Sequence, residues 1–197
     1  LETAVVFSLV GSLILNYALE GRQKRFIKGA FRQYLSPHVI ENILRDPDHL
    51  KLGGETRELT IYFSDIQGFT TISEALTPQD LTSLLNEYLS AMTDIILDDG
   101  GTLDKYEGDA VIAFWNAPLA QEDHAVRGVR SALLCQQRLA EMRPALKSKY
   151  GKDIIVRIGM NTGKVVVGNM GSTRRFNYTF LGDAGNLAAR LQGINKQ

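Results

Sequence analysis

The order in which the apolar periodicity changes from Thr56 onward limits the fold more than any other feature. Leu59-Thr60-Ile61-Tyr62 is a β-branched and aromatic run that suits a buried strand. Thr77-Pro78-Gln79-Asp80 then opens a helix whose apolar face runs from Leu81 to Ile96 and is closed by Asp98-Asp99-Gly100-Gly101. Thr102 to Lys105 and Ala110 to Trp115 predict two short strands, and the spacer Tyr106-Glu107-Gly108-Asp109 predicts a hairpin turn between them. A second long helix is expected from Glu122 towards Arg143, where Pro144 interrupts it. Strands over Ile154 to Met160 and Lys164 to Val167 follow. Tyr178 to Leu181 then leads into a helix on which Asn186 and Arg190, four residues apart, share a face. The order β-α-β-β-α-β is the ferredoxin-like α+β arrangement, with additions at its end.

The chain before Thr56 has a different character. Thr3 to Leu19 carries no charged residue, and Arg22, Lys24, Arg25, Lys28 and Arg32 follow against Glu20 alone. That asymmetry is expected where a last transmembrane helix emerges into the cytoplasm. The same stretch also fits a buried or dimerising soluble helix. Phe26, Ile27, Ala30, Phe31, Tyr34 and Leu35 recur at helical spacing, and Ser36-Pro37 resembles a helix start. The expected division is therefore the end of a transmembrane helix at 1–19, a helical stalk and linker at 20–55, and a catalytic domain at 56–197.

Lys plus Arg and Asp plus Glu both number 22, so no global basic field argues for a nucleic-acid partner. The one cysteine, Cys135, lies in a helical pattern with Leu134 and Leu139 and reads as a core residue. Gly159-Met-Asn-Thr-Gly163-Lys164 has one residue too few between its glycines for a P-loop, and Val165 stands where Ser or Thr is needed. His38, His49 and His124 lack metal-ligand spacing and read as surface or capping groups.

The chemistry concentrates in two carboxylates. Asp65 follows the first strand, and Asp109 sits in the hairpin between the second and third. Taken alone, Asp65 before Gly68 is ordinary turn chemistry. In a β-α-β-β-α-β sheet, however, the first and third strands are antiparallel neighbours, so the end of one adjoins the start of the other. Two carboxylates brought together repel unless a hard cation lies between them, and all-oxygen ligation suits Mg²⁺ or Mn²⁺ completed by phosphate oxygens. The backbone amides from Ile66 through Gly68 and Phe69 to Thr70 are candidates for holding those phosphates.

Phe-Ser-Asp-Ile-Gln-Gly-Phe-Thr at 63–70, Lys-Tyr-Glu-Gly-Asp at 105–109 and Tyr-Thr-Phe-Leu-Gly-Asp-Ala-Gly-Asn-Leu-Ala-Ala-Arg at 178–190 resemble the class III nucleotidyl cyclases in order and spacing. The segment Arg25 to Pro37 is similar to the one preceding the catalytic domain of bacterial membrane-bound cyclases, notably those with a CHASE2 sensor. The resemblance implies an adenylate cyclase that is active as a homodimer with shared sites and tethered at the cell membrane with its catalytic domain cytoplasmic. Asp65, Ile66 and Asp109 of one chain would hold two Mg²⁺ or Mn²⁺ ions. Lys105, Thr179, Asn186 and Arg190 would come from the other. Arg190 would stabilise charge on the reacting phosphorus, Asn186 would orient the ribose, and Arg174 is matched to a phosphate-contacting arginine. Relatives that use GTP carry an acidic residue in place of Lys105.

Hydrogen bonding supports ATP as substrate. Adenine presents an acceptor at N1 and a donor at its amine, which complement the Lys105 ammonium and the Thr179 hydroxyl. Two departures from the family stand out: Gly185, where a larger apolar residue is usual and looser aim of Asn186 is expected, and a further lysine-bearing hairpin that lies past Gln197 in the family pattern. Other readings are a non-catalytic nucleotide-binding or dimerising homologue, a guanylate cyclase and a diguanylate cyclase. Lys105 opposes the guanylate cyclase, and the absence of a Gly-Gly-Asp-Glu-Phe hairpin opposes the last.

Overall fold

The computed structural model describes residues 52–194. The apolar segment at 1–19 and the linker as far as residue 51 lie outside the described residues, as do His38 and His49. Nine elements follow in order: β1 (Gly53–Ile66), α1 (Phe69–Glu74), α2 (Pro78–Asp98), β2 (Thr102–Glu107), β3 (Ala110–Trp115), α3 (His124–Tyr150), β4 (Val156–Ser172), β5 (Arg175–Leu181) and α4 (Asp183–Ile194). The strands form one sheet in the order β2-β3-β1-β4-β5, every neighbouring pair antiparallel. The first four strands have the ferredoxin-like order, and β5 is the addition.

Alternation along β1 sorts side chains onto two faces. Tyr62 and Ile66 enter the main core, where α2 contributes Leu84, Tyr88, Met92 and Ile96 and α3 contributes Cys135, Leu139 and Leu146. Leu59 and Ile61 point to the other face and meet Phe114, Val165 and Val167 under Tyr178 and Phe180 of β5 and Ala184 and Ala188 of α4. Edge-to-face packing of Phe180 on Phe63 and on Phe114 fixes β5 over that second layer. Asp65 falls on the α4 side by the same alternation.

Several boundaries differ from the sequence expectations. β1 begins at Gly53 rather than in the Thr56 region, so the end of the expected linker belongs to the sheet. The two strands expected over Ile154–Met160 and Lys164–Val167 are one strand of 17 residues. Its polar middle is held rather than broken. Thr162 Oγ1 lies 2.8 Å from Thr60 Oγ1, and Asn161 Nδ2 donates to the Ala184 carbonyl at 3.0 Å. α3 continues through Pro144, which is exposed, because Leu139, Leu146 and Tyr150 bury on either side of it. The β2–β3 turn needs only Gly108 and Asp109, with Gly108 at φ 63°, so Tyr106 and Glu107 remain in β2. His124 is not a surface group: it is buried, with Nδ1 2.8 Å from Thr60 Oγ1.

Gly159 and Gly163 owe their identity to α4. A Cβ at Gly159 would collide with the Gln192 amide nitrogen and the Ala188 carbonyl, and one at Gly163 would lie 2.9 Å from the Ala184 methyl. These two same-face glycines form the seat that lets a helix lie directly on the strand.

Candidate active site

β1 pairs with β3 from Thr60↔Trp115 to Ser64↔Val111, which brings the end of one to the start of the other. Asp109 then lies beside the last residues of β1, and its Oδ2 accepts the Ile66 N–H at 2.7 Å. Asp65 sits across the same end, paired in register with Arg157 of β4. Asp65 Oδ2 accepts from Arg157 Nη2 at 2.9 Å and from Gln192 Nε2 of α4 at 3.3 Å. Burial, followed by the neighbouring Asp65 carboxylate, pushes Asp109 up to about 7. Two adjacent carboxylates, one of them disfavoured as an anion by its surroundings, form an oxygen-only donor set that a divalent hard cation would relieve. Among the described residues no group of three or more His, Cys, Asp or Glu could hold a metal. The donors present therefore fit a site completed by water and a ligand's own oxygens.

The expected phosphate-holding amides need correction at two positions. The Ile66 N–H is already taken by Asp109, and the next amide, Gln67, donates to the Ile155 carbonyl at 2.8 Å. Gly68 turns the chain at φ 69°, and the amides of Phe69 and Thr70 fall in the first turn of α1, where no intrahelical acceptor exists. Any backbone contact to phosphate therefore falls to Gly68, Phe69 and Thr70.

Lys105, Thr179, Asn186 and Arg190 are held apart from this carboxylate pair and fall into two groups. Thr179 of β5 reaches β2, where its hydroxyl donates to Asp104 Oδ2 at 2.9 Å. Lys105 is beside it, its Nζ 4.0 Å from Asp104 and 3.9 Å from Glu107. Burial raises Asp104, against the opposing pull of the Thr179 hydroxyl and the Lys105 ammonium. Asn186 and Arg190 are exposed on α4, and Arg190 has Asp183 at 3.7 Å. Around them Leu181, Leu187, Leu191 and Ile194 are also exposed. Gly185 is buried, and a Cβ there would lie 2.5 Å from the Phe180 ring, so the absent side chain leaves room for that ring.

Arg174 stands away from the carboxylates of its own chain, whereas Arg157 stands beside them. Arg174 is exposed in the turn between β4 and β5, at the far end of β4 from the Asp65 register, and does not join the carboxylates of its own chain. Arg157, which sequence analysis passed over, has a side chain only 11% exposed and is the cation on Asp65. Its Nε is buried without a partner. The usable signal was its place in β4, directly opposite Asp65 in a β1–β4 pairing the fold requires.

The adenylate and guanylate cyclase catalytic domain family matches residues 54–197, and the chain belongs to that family. Adenylate cyclase 1 of Rhizobium meliloti (strain 1021) is 39% identical over 140 residues, covering 71% of this chain and 21% of that protein. Adenylate cyclase of Anabaena cylindrica is 36% identical over 179 residues, covering 88% of this chain and 33% of that one. The chain thus spans a third or less of the length of these relatives. Among solved structures, the guanylyl cyclase Cya2 and the adenylyl cyclase CyaB from P. aeruginosa are each 38% identical with a TM-score of 0.70. The aligned part is 73% of this chain in both cases, with 73% of Cya2 and 74% of CyaB covered. Equal likeness to an adenylyl and a guanylyl cyclase leaves the choice of base to individual residues.

Proposed function

We propose that the chain is the catalytic part of an adenylate cyclase that converts ATP to 3′,5′-cyclic AMP and pyrophosphate at sites shared by two copies. One observation carries this: Asp65 and Asp109 adjoin at the end of β1, while Lys105, Thr179, Asn186 and Arg190 are presented elsewhere on the same chain. A second copy would bring the two halves together. The exposed leucines around Asn186 and Arg190 are an apolar surface that such a copy would bury.

Asp65 and Asp109, with the Ile66 carbonyl, would hold two Mg²⁺ or Mn²⁺ ions. Bound there, these ions supply Lewis acidity towards the ribose 3′-hydroxyl and the phosphate oxygens. Arg157 places a buried positive charge at the carboxylates, where a triphosphate would lie. Gly68, Phe69 and Thr70 offer amides to the same group. From the other chain, Arg190 stabilises charge gathering on the α-phosphate and Asn186 orients the ribose. Both lie on α4, whose position is fixed by the Gly159 seat, so orientation is built into the fold rather than acquired on binding.

Lys105 and Thr179 favour adenine, whose N1 accepts and whose amine donates. A guanylate cyclase is the second reading, because Cya2 is as similar as CyaB. The Lys105 ammonium, which has donors only, opposes guanine N1–H. The intact set of site residues opposes a non-catalytic homologue.

The test is incubation of the dimerised chain with ATP and GTP separately in Mn²⁺, with the products identified by mass spectrometry. Cyclic AMP from ATP, lost in Asp65→Ala, is expected. Preferential cyclic GMP formation, or no cyclic nucleotide from a verified dimer, overturns the assignment.

The apolar Thr3–Leu19 stretch and the basic residues after it support a membrane tether with the catalytic part cytoplasmic, a helical linker up to β1 and an upstream sensor of the CHASE2 kind. Recovery of the full-length protein in the soluble fraction without detergent would refute the tether.

A further inference from the structure

β2 and β5 lie at opposite edges of the five-stranded sheet, so the contact between them is no ladder contact. It is made by side chains. The β2–β3 register slips between Leu103 and Lys105, which leaves Asp104 as the extra residue of a bulge. A bulge re-aims a side chain, and this one delivers Asp104 to Thr179. The Asp104 side chain is only 3% exposed, and its Oδ1 is buried with no partner. A buried carboxylate with one oxygen unsatisfied costs stability, so packing gives no reason for it.

The hydrogen bond does give one. A carboxylate accepts and cannot donate, and in this bond the Thr179 hydroxyl is the donor at 2.9 Å. The Thr179 hydroxyl must therefore spend its single hydrogen on Asp104 Oδ2, and what it turns towards any neighbouring ligand is a lone pair. A free threonine hydroxyl rotates to donate or accept; this one only accepts.

We propose that Asp104 is a specificity-determining positioning residue: by fixing the Thr179 hydroxyl as an acceptor, it selects a purine with a donor at C6 and rejects one with a carbonyl there. The inference rests on the base assignment to Lys105 and Thr179 made above. Guanine O6 would meet the Thr179 lone pairs backed by a buried acidic group, whereas the adenine amine meets its complement. Lys105 reads the neighbouring N1 by the opposite rule, so the Asp104-Lys105 dipeptide sets both polarities of the pattern from consecutive residues.

The test uses two nucleotides of nearly equal size that differ in hydrogen bonding at C6. N6-methyl-ATP donates there, 6-methoxypurine riboside triphosphate accepts, and both keep the N1 acceptor for Lys105. In the full-length chain kcat/KM should favour the first by about tenfold or more. The ratio should fall to about threefold or less in Asp104→Asn, whose amide can donate to Thr179 and release its hydrogen. In a Thr179→Val background, Asp104→Asn should change the ratio no further. Equal use of the two analogues by the unmodified chain overturns the proposal without any variant. An unchanged ratio in folded Asp104→Asn, or a further change in the Thr179→Val background, does so as well. Lys105→Glu separates the levels. If it leaves the ATP-to-GTP preference unaltered, the base assignment itself fails; if it shifts that preference while Asp104→Asn moves nothing, only the role of Asp104 is lost.

Discussion

Asp109→Asn should make the metal-free protein more stable at pH 8 while abolishing its activity. Asp109 is 8% exposed and accepts the Ile66 N–H at 2.7 Å, a bond that an asparagine oxygen can keep. The carboxylate titrates at about 7 in the folded chain, against an ordinary value of 3.8. The folded state therefore binds this proton more tightly than the unfolded state does. Stability is unaffected by the group below about pH 4, falls as pH rises from about 4 to 7, and is lowest above 7. Roughly three pH units at about 1.4 kcal/mol each set a ceiling near 4 kcal/mol. Relaxation, and the sharing of protons with Asp65, reduce the expected gain in Asp109→Asn to about 2 kcal/mol, or roughly 4–8 °C in Tm for a domain of this size. Thermal melts of both proteins in EDTA at pH 5 and pH 8 read the effect directly: the variant's advantage should be small at pH 5 and full at pH 8. Adding Mn²⁺ at pH 8 should raise the Tm of the unmodified chain and leave the variant nearly unmoved. An advantage independent of pH, or a variant less stable at pH 8, would refute the account of Asp109 as a buried charge awaiting a cation.

Four further predictions follow. Gly159→Ala should push α4 off its seat, cutting turnover by about tenfold or more while Mn²⁺ still raises the Tm; full activity would remove α4 position from the account. Arg157→Gln should raise KM for ATP by about tenfold with a smaller change in kcat, measured by steady-state kinetics, and an unaltered KM would separate Arg157 from the substrate. Mixing Asp65→Ala with Arg190→Ala chains should restore part of the activity, since each mixed dimer rebuilds one complete site; no recovery in a verified mixed dimer argues against shared sites. Pro144→Ala should stabilise the domain by about 1–3 kcal/mol in denaturant melts, because the exposed proline withholds an N–H from α3 and the helix is formed regardless.

Legibility tracked how local each cause was. The strand ending at Asp65 and the apolar stripe of α2 could be read from periodicity alone, and from their order came the pairing of β1 with β3 and the meeting of Asp65 with Asp109. What failed to show was set by partners distant in sequence. Pro144 reads as a break unless one knows that Leu139, Leu146 and Tyr150 are all buried beside it. Asn161-Thr162-Gly163 reads as a gap between two strands unless Thr60 and Ala184 are in place to satisfy it. Arg157 was invisible as a functional residue because its meaning comes from register: it stands opposite Asp65 only after 14 residues of β1 have paired with β4. Gly185 reads as a departure from a larger apolar residue until the Phe180 ring is seen in the space of its missing side chain.

The two glycine contacts of α4 bear on how one element would serve the proposed two-chain site. Gly159 lets the helix backbone lie on β4, and the same approach brings Gln192 to Asp65, so the inner face of α4 touches the carboxylate pair of its own chain. Asn186 and Arg190 lie on the outward face of that helix, directed at whatever covers the exposed leucines around them. In the proposed two-chain arrangement, one rigid helix would link the carboxylates of one site to the residues offered to the other. A shift of α4 that frees Asp65 from Gln192 would also move Arg190 against the second copy. On this geometry the two sites of a dimer are mechanically coupled through α4, and Gln192→Ala should alter the cooperativity of ATP turnover more than it alters the activity of a mixed dimer with one intact site.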